Sequence, residues 1–154
     1  MAKNPICHSF SHTVIKRYLE NIDEAIASSS SVLSSNTQKH FSPDGKTVYL
    51  KGRLVFVDSS ILEIGMFITE SHQALAIEKY RLHYMDTNGR MLFRYDNAPH
   101  HPEMSSHPNH KHIFDKAIES TIPLLKEVLN EISAIIIGKP HSKNLKWRIS
   151  FRSP

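Results

Sequence analysis

The sequence predicts an α+β domain in which an N-terminal and a C-terminal helix pack on one face of an antiparallel sheet of four to five strands. Three observations predict it. Apolar residues recur at helical spacing near each end of the chain. Between them, runs rich in β-forming residues are divided by turn signals. The chain is 154 residues long with 40% hydrophobic and 22% charged residues, which suits one core.

The first helix is expected over residues 11–27, where Ile15, Tyr18, Leu19, Ile22 and Ile26 form a stripe and Ser11 suits the N-cap. The serine run at 28–35 should end it in a turn or flexible linker. "SPDG" at 42–45 marks a turn. A strand follows in "KTVYLKGRLVFVD", with Gly52 expected as a bulge. Ser59 and Ser60 read as a hairpin tip leading into "ILEIGMFITE".

The segment "IEKYRLHYMDTNGRMLFRYDN" contains Asn88-Gly89, a preferred two-residue hairpin turn. With that turn, Thr87 faces Arg90, Tyr84 faces Phe93, His83 faces Arg94, Leu82 faces Tyr95 and Arg81 faces Asp96. Alternation then puts Leu82, Tyr84, Phe93 and Tyr95 on a face that needs a helix over it. Arg81, His83, Arg94 and Asp96 form a polar wall, with an Arg81–Asp96 cross-strand pair expected.

The second helix is expected over 113–134, from the stripe Ile118, Ile122, Leu125, Leu129 and Ile132. Pro123 should kink it or split off a first turn, and Gly138 should stop it. The domain thus covers 1–138. Residues 139–154 form a basic extension, where Leu145, Trp147, Ile149 and Phe151 alternate with polar residues in the pattern of a further strand. Its Lys146, Arg148 and Arg152 are candidate RNA contacts, together with Arg81 and His83 of the wall.

Composition bounds the function. The net charge of +4 comes with eleven histidines counted as neutral, which weakly favours a polyanionic partner. The single cysteine, Cys7, excludes an internal disulfide and a multi-cysteine zinc site. "MAKNPICHSF" has no apolar signal core and no apolar run reaches membrane-spanning length, so a cytoplasmic protein without a membrane partner is expected.

The loop "NAPHHPEMSSHPNHKH", residues 97–112, holds His100, His101, His107, His110 and His112. Three readings stand. The histidines can ligate a metal with Asp96 and Glu103, although their spacings match no named zinc signature. They can move protons, with His100 or His101 and one of His110 or His112 as an acid–base pair. Arg94, Arg81 and Lys111 would then bind phosphate and Asp96 would orient a neighbour, a site that needs no metal or other cofactor. Or they simply sit in solvent.

Residues 80–112 resemble the signature of the TumE-type toxin family of prokaryotic type II toxin–antitoxin systems. "FRYDNAPHH", Phe93–His101, and "PNHKH", ending at His112, carry the resemblance, which extends over roughly residues 12–135. Asn109 stands where that family commonly shows histidine. The resemblance implies a RelE-like fold and a toxin that cleaves RNA, on the ribosome or free of it. It also implies a cognate antitoxin, often a helix-turn-helix protein. Its motif falls on Arg94, Asp96, His100, His101, His110, Lys111 and His112. Two other functions stay open: a non-catalytic module that binds nucleic acid or a partner in a defence complex, and a metal-dependent hydrolase.

Overall fold

The computed structural model describes residues 14–138, Gln73 excepted. It is an α+β fold: one antiparallel sheet of seven strands, rather than four or five, with two helices. The order is α1 (Val14–Ser28), β1 (Val32–Phe41), β2 (Thr47–Phe56), β3 (Ile61–Ser71), β4 (Ala74–Met85), β5 (Met91–Asp96), β6 (His110–Ile113), β7 (Lys116–Glu119) and α2 (Leu125–Gly138). The strands lie side by side in chain order. Each hairpin therefore pairs only with its neighbours, and long crossovers are not needed.

One face of the sheet is covered. Ile15, Leu19, Ile22 and Ile26 of α1 and Leu125, Val128, Leu129 and Ile132 of α2 are buried against alternate residues of the strands. Leu50, Leu54, Leu62, Ile64, Leu82, Tyr84 and Phe93 are among the sheet residues that supply the other half of the core. Each such side chain contributes about 1.5–3 kcal/mol through burial. The opposite face carries the polar residues of the same strands, and among the described residues no helix lies over it.

Two elements differ from the sequence expectation. The serine-rich stretch does not remain a linker: its second half is β1, an edge strand almost wholly exposed. Its ladder to β2 holds it in place, with a bulge between Val32 and Ser34, so no apolar alternation was needed to form it. The expected long second helix is the hairpin β6–β7 followed by a shorter helix. Pro123 lacks an N–H and its ring opposes a preceding helical turn, so the helix starts only after it. Leu124 caps it: the Glu127 carboxylate accepts the Leu124 N–H at 2.9 Å, half of a capping box. Ile118 and Ile122, counted into the helical stripe, are exposed.

Gly52 is not a bulge, since the ladders on both sides run through it unbroken. A Cβ there would lie 3.3 Å from both Ile64 and Thr37, so a side chain would require those neighbours to give by a few tenths of an ångström. The "SPDG" turn forms as expected, with Gly45 at a φ of 70°. Ser11 and the 139–154 extension lie outside the described residues, as does Cys7.

The β4–β5 register follows the expected pairs Arg81–Asp96, Leu82–Tyr95, His83–Arg94 and Tyr84–Phe93. The turn itself is wider than two residues. Asp86 faces Arg90, donating its N–H to the Arg90 carbonyl at 2.9 Å, and Gly89 sits at a φ of 77°. This one-residue offset is undone between Met85 and Tyr84, where the register shifts back. The bulge restores the alternation that buries Leu82, Tyr84 and Phe93.

Candidate functional site

The site lies on the uncovered face, where β5 pairs with β6. Asp96 faces His110 and Arg94 faces His112 across that ladder. Directly opposed residues point to the same side, so these four gather over β5 and β6. The loop 97–109 then folds back and adds His100 and His101. Asn97 anchors the loop's start, accepting the Tyr80 N–H at 3.0 Å and donating to the Glu78 carbonyl at 3.0 Å. Glu119 of β7 anchors its middle by accepting the Ser105 N–H at 2.9 Å.

The result is a corner lined by four imidazoles, with one ring nitrogen from each of His100, His101, His110 and His112 within 4.8 Å of the others. Nε2 of His112 is 3.0 Å from Nε2 of His110 and 3.3 Å from Nε2 of His100. These four side chains can hold a metal ion. His107 turns away from them and bonds the His101 carbonyl at 3.2 Å.

Asp96 is the charge at the base of the corner, with only 4% of its surface exposed. Its carboxylate accepts from Nε of Arg94 at 2.6 Å and lies 3.0 Å from Nε2 of His110. Burial alone pushes the carboxyl pKa up. The Ala98 N–H, the Arg94 guanidinium and His110 outweigh it and hold the group ionised, below the usual carboxylate value. His112 is pushed down to about 4, by burial first and the Arg94 cation second. Its imidazole is neutral at physiological pH, with one ring nitrogen able to accept a proton or a metal.

Arg81 and His83 continue the polar face into β4. Arg81 donates to Nδ1 of His83 at 2.6 Å rather than pairing with Asp96, whose oxygens are taken by Arg94 and the Ala98 N–H. Lys111 does not join the corner. It alternates to the covered face, where its ammonium bonds Glu131 of α2 and lies 4.8 and 4.6 Å from the ring centres of Phe93 and Tyr95. It braces the helix against the sheet. Lys146, Arg148 and Arg152 lie outside the described residues.

The sequence reading passed over the rest of this face. A trough of about 950 Å³ crosses β1–β4, bordered by Lys51, Arg53, Lys79 and Arg81. Tyr49 and Phe67, paired directly across β2 and β3, stand in it 45% and 38% exposed. Gly65 forms its floor: a Cβ there would meet only the Tyr49 hydroxyl, at 3.8 Å. One ladder row joins trough to corner, running from Lys51 through Gly65, Arg81 and Asp96 to His110. Three strand spacings separate Gly65 from His110, about 14 Å. The signal was present in "TVYLKGR", where Tyr49, Lys51 and Arg53 alternate with buried residues.

Fold and site define an α+β domain that carries cations, exposed aromatics and an imidazole corner on one sheet face that no described helix covers. The chain belongs to the TumE toxin family, whose model, described as "Toxin TumE", matches residues 22–136. The match spans both described helices in part and every residue of the corner. A toxin's role and a cognate antitoxin follow from that membership. No curated protein and no solved structure matched the chain. Among the described residues, no helix is long and apolar enough to cross a membrane.

Proposed function

We propose that the chain is a cytoplasmic toxin that cleaves RNA on the uncovered sheet face, in the manner of the RelE-like toxins. The antitoxin that neutralises it is a helix-turn-helix protein. The observation that carries this reading is the ladder row that links a basic, aromatic-bearing trough to the histidine corner. Single-stranded RNA asks for both parts: cations track its phosphates, and exposed rings stack on its bases. Tyr49 and Phe67 serve the bases. Lys51, Lys79 and Arg81 serve the phosphates, and Arg53 does so once it releases Glu63, now 3.3 Å away.

Arg94 receives the scissile phosphate. Asp96 fixes its Nε, and the two terminal nitrogens have no hydrogen-bond acceptor among the described residues, so the fork can meet phosphate oxygens. The histidines supply the chemistry beside it. They stand shoulder to shoulder: ring nitrogens 3.0 and 3.3 Å apart leave no gap for a phosphate between His110 or His100 and His112. An acid–base pair working from opposite sides of the scissile bond needs one of these rings to turn outward, and His100, on the exposed loop, is the one free to do so.

Expression of the wild type should arrest growth and shorten cellular RNA. Folded Arg94→Ala and His112→Ala variants should do neither. Full toxicity in both would defeat this reading. RNA bound but left intact by the wild type would instead favour the non-catalytic binding module.

A further inference from the structure

We infer that His100, His101, His110 and His112 together bind one divalent transition ion of the zinc class. It rests on the same corner as the preceding reading, and an ion on all four imidazoles would occupy the lone pairs used there for proton transfer, so metal-free and zinc-loaded protein are tested separately.

The spacing is the first argument. Zinc–imidazole bonds of about 2.0–2.1 Å place the nitrogens of a tetrahedral site roughly 3.3 Å apart. The Nε2 atoms of His110 and His100 lie 3.0 and 3.3 Å from that of His112, close to such edges. All four donor atoms fall within 4.8 Å, and the widest of these gaps closes by small rotations of the loop-borne rings. Each close nitrogen pair can share a single ring proton, whereas one cation can engage all four rings at once.

The second argument is the outer shell. A ligating histidine characteristically donates its other ring N–H to a carbonyl or carboxylate, which fixes the tautomer and aims the free nitrogen at the ion. His110 does this through Nδ1, donating to the Pro108 carbonyl at 2.9 Å. His101 does it through Nδ1 to the Glu103 carboxylate at 3.0 Å. Buried Asp96, 3.0 and 3.8 Å from the Nε2 atoms of His110 and His112, supplies negative charge against the ion.

The third argument is preorganisation. His110 and His112 alternate onto one face of a paired strand, and the loop carrying the other two is tied to β4 and β7. An all-imidazole donor set without thiol selects zinc, copper or nickel over magnesium and calcium. With four imidazoles bound the tetrahedral shell is closed, so the ion would fix the loop onto β6 beside the Arg94 guanidinium.

The test uses full-length, untagged protein stripped with a chelator and titrated with zinc chloride. Metal per chain is measured by elemental analysis, and affinity by competition with a chromogenic chelator. One zinc per chain is expected, with magnesium chloride giving none. The His110→Gln/His112→Gln double variant should lose the ion. His100→Ala, altered only on the exposed loop and so expected to fold, should weaken binding at least about tenfold, and Glu103→Gln by about 10–100-fold. His40→Ala, remote on β1, should bind as the wild type does. No stoichiometric zinc, or unchanged affinity in His100→Ala and the double variant, overturns the inference. RNA left whole by the metal-free protein, with one zinc still taken up, overturns the RNA reading alone. RNA cut by metal-free protein that takes up no zinc overturns the ion alone.

Discussion

The two faces of the sheet are built from the same strands by alternation, yet they are held by different physics. The covered face is a continuous apolar core beneath α1 and α2, and its charged pairs, Lys111 with Glu131 and Lys39 with Asp23, are satisfied within the fold. The bare face spends its polar groups on one another only in part: Arg94 with Asp96, Arg81 with His83, Arg53 with Glu63. The difference teaches where stability and function reside. Changes on the first face should be felt in folding, and changes on the second in what the protein binds and cuts.

The largest expected effect tests that division. Leu129→Ala, at a fully packed position of α2, should cost about 2–5 kcal/mol in urea denaturation. Arg81→Ala, on the bare face, should stay within about 0.5 kcal/mol of the wild type while losing RNA affinity. Comparable destabilisation by both would break the comparison.

Next is the buried pair. Glu131→Leu strands the Lys111 ammonium and the Tyr95 hydroxyl, which donates to Glu131 at 2.8 Å. A loss of about 2 kcal/mol is expected. Toxicity per folded molecule should not change. A selective loss of RNA cleavage, with stability intact, would return Lys111 to the site.

Lys111 also shows how far the sequence could be read. The β4–β5 hairpin was legible to the residue, because Leu82, Tyr84, Phe93 and Tyr95 alternate and only one register buries them together. The turn was misjudged by one residue, and a bulge beside it, between Tyr84 and Met85, absorbed the error. Extending the same alternation through 110–112 would have placed Lys111 opposite the two histidines. The helical spacing of Ile118 and Ile122 with Leu125 masked β6 and β7, and Pro123 was read as a kink or a split-off first turn within the helix instead of its boundary. β1 left no apolar signature, since an edge strand needs only a partner. The histidine corner was legible as a set of residues, but its convergence depended on β6, and the trough depended on separating the faces of β2 and β3.

A third prediction concerns salt. If the trough tracks phosphates, replacing Lys51, Lys79 and Arg81 together by alanine should lower the slope of log affinity against log salt by roughly 2, at about 0.7 per lost contact on a single strand. An unchanged slope would remove these side chains from the RNA path.

The smallest effect is a pH dependence. Burial first, then the Arg81 and Arg94 cations, lower the His83 pKa below its ordinary 6.5. The folded state therefore binds fewer protons than the unfolded chain as pH falls below about 6.5, and stability declines toward acid. His83→Gln should flatten that decline in denaturation curves taken across pH 7 to 5. An equal slope in wild type and variant would contradict the placement of His83 between the two guanidinium groups.

The most direct measurement of where RNA lies is photocrosslinking. A single-stranded RNA carrying 4-thiouridine would be irradiated with the cleavage-defective Arg94→Ala protein, and the attached peptides read by mass spectrometry. Adducts on Tyr49 and Phe67 and on the 97–112 loop are the predicted result. Adducts confined to α1 and α2, with the bare face unmarked, would contradict the account.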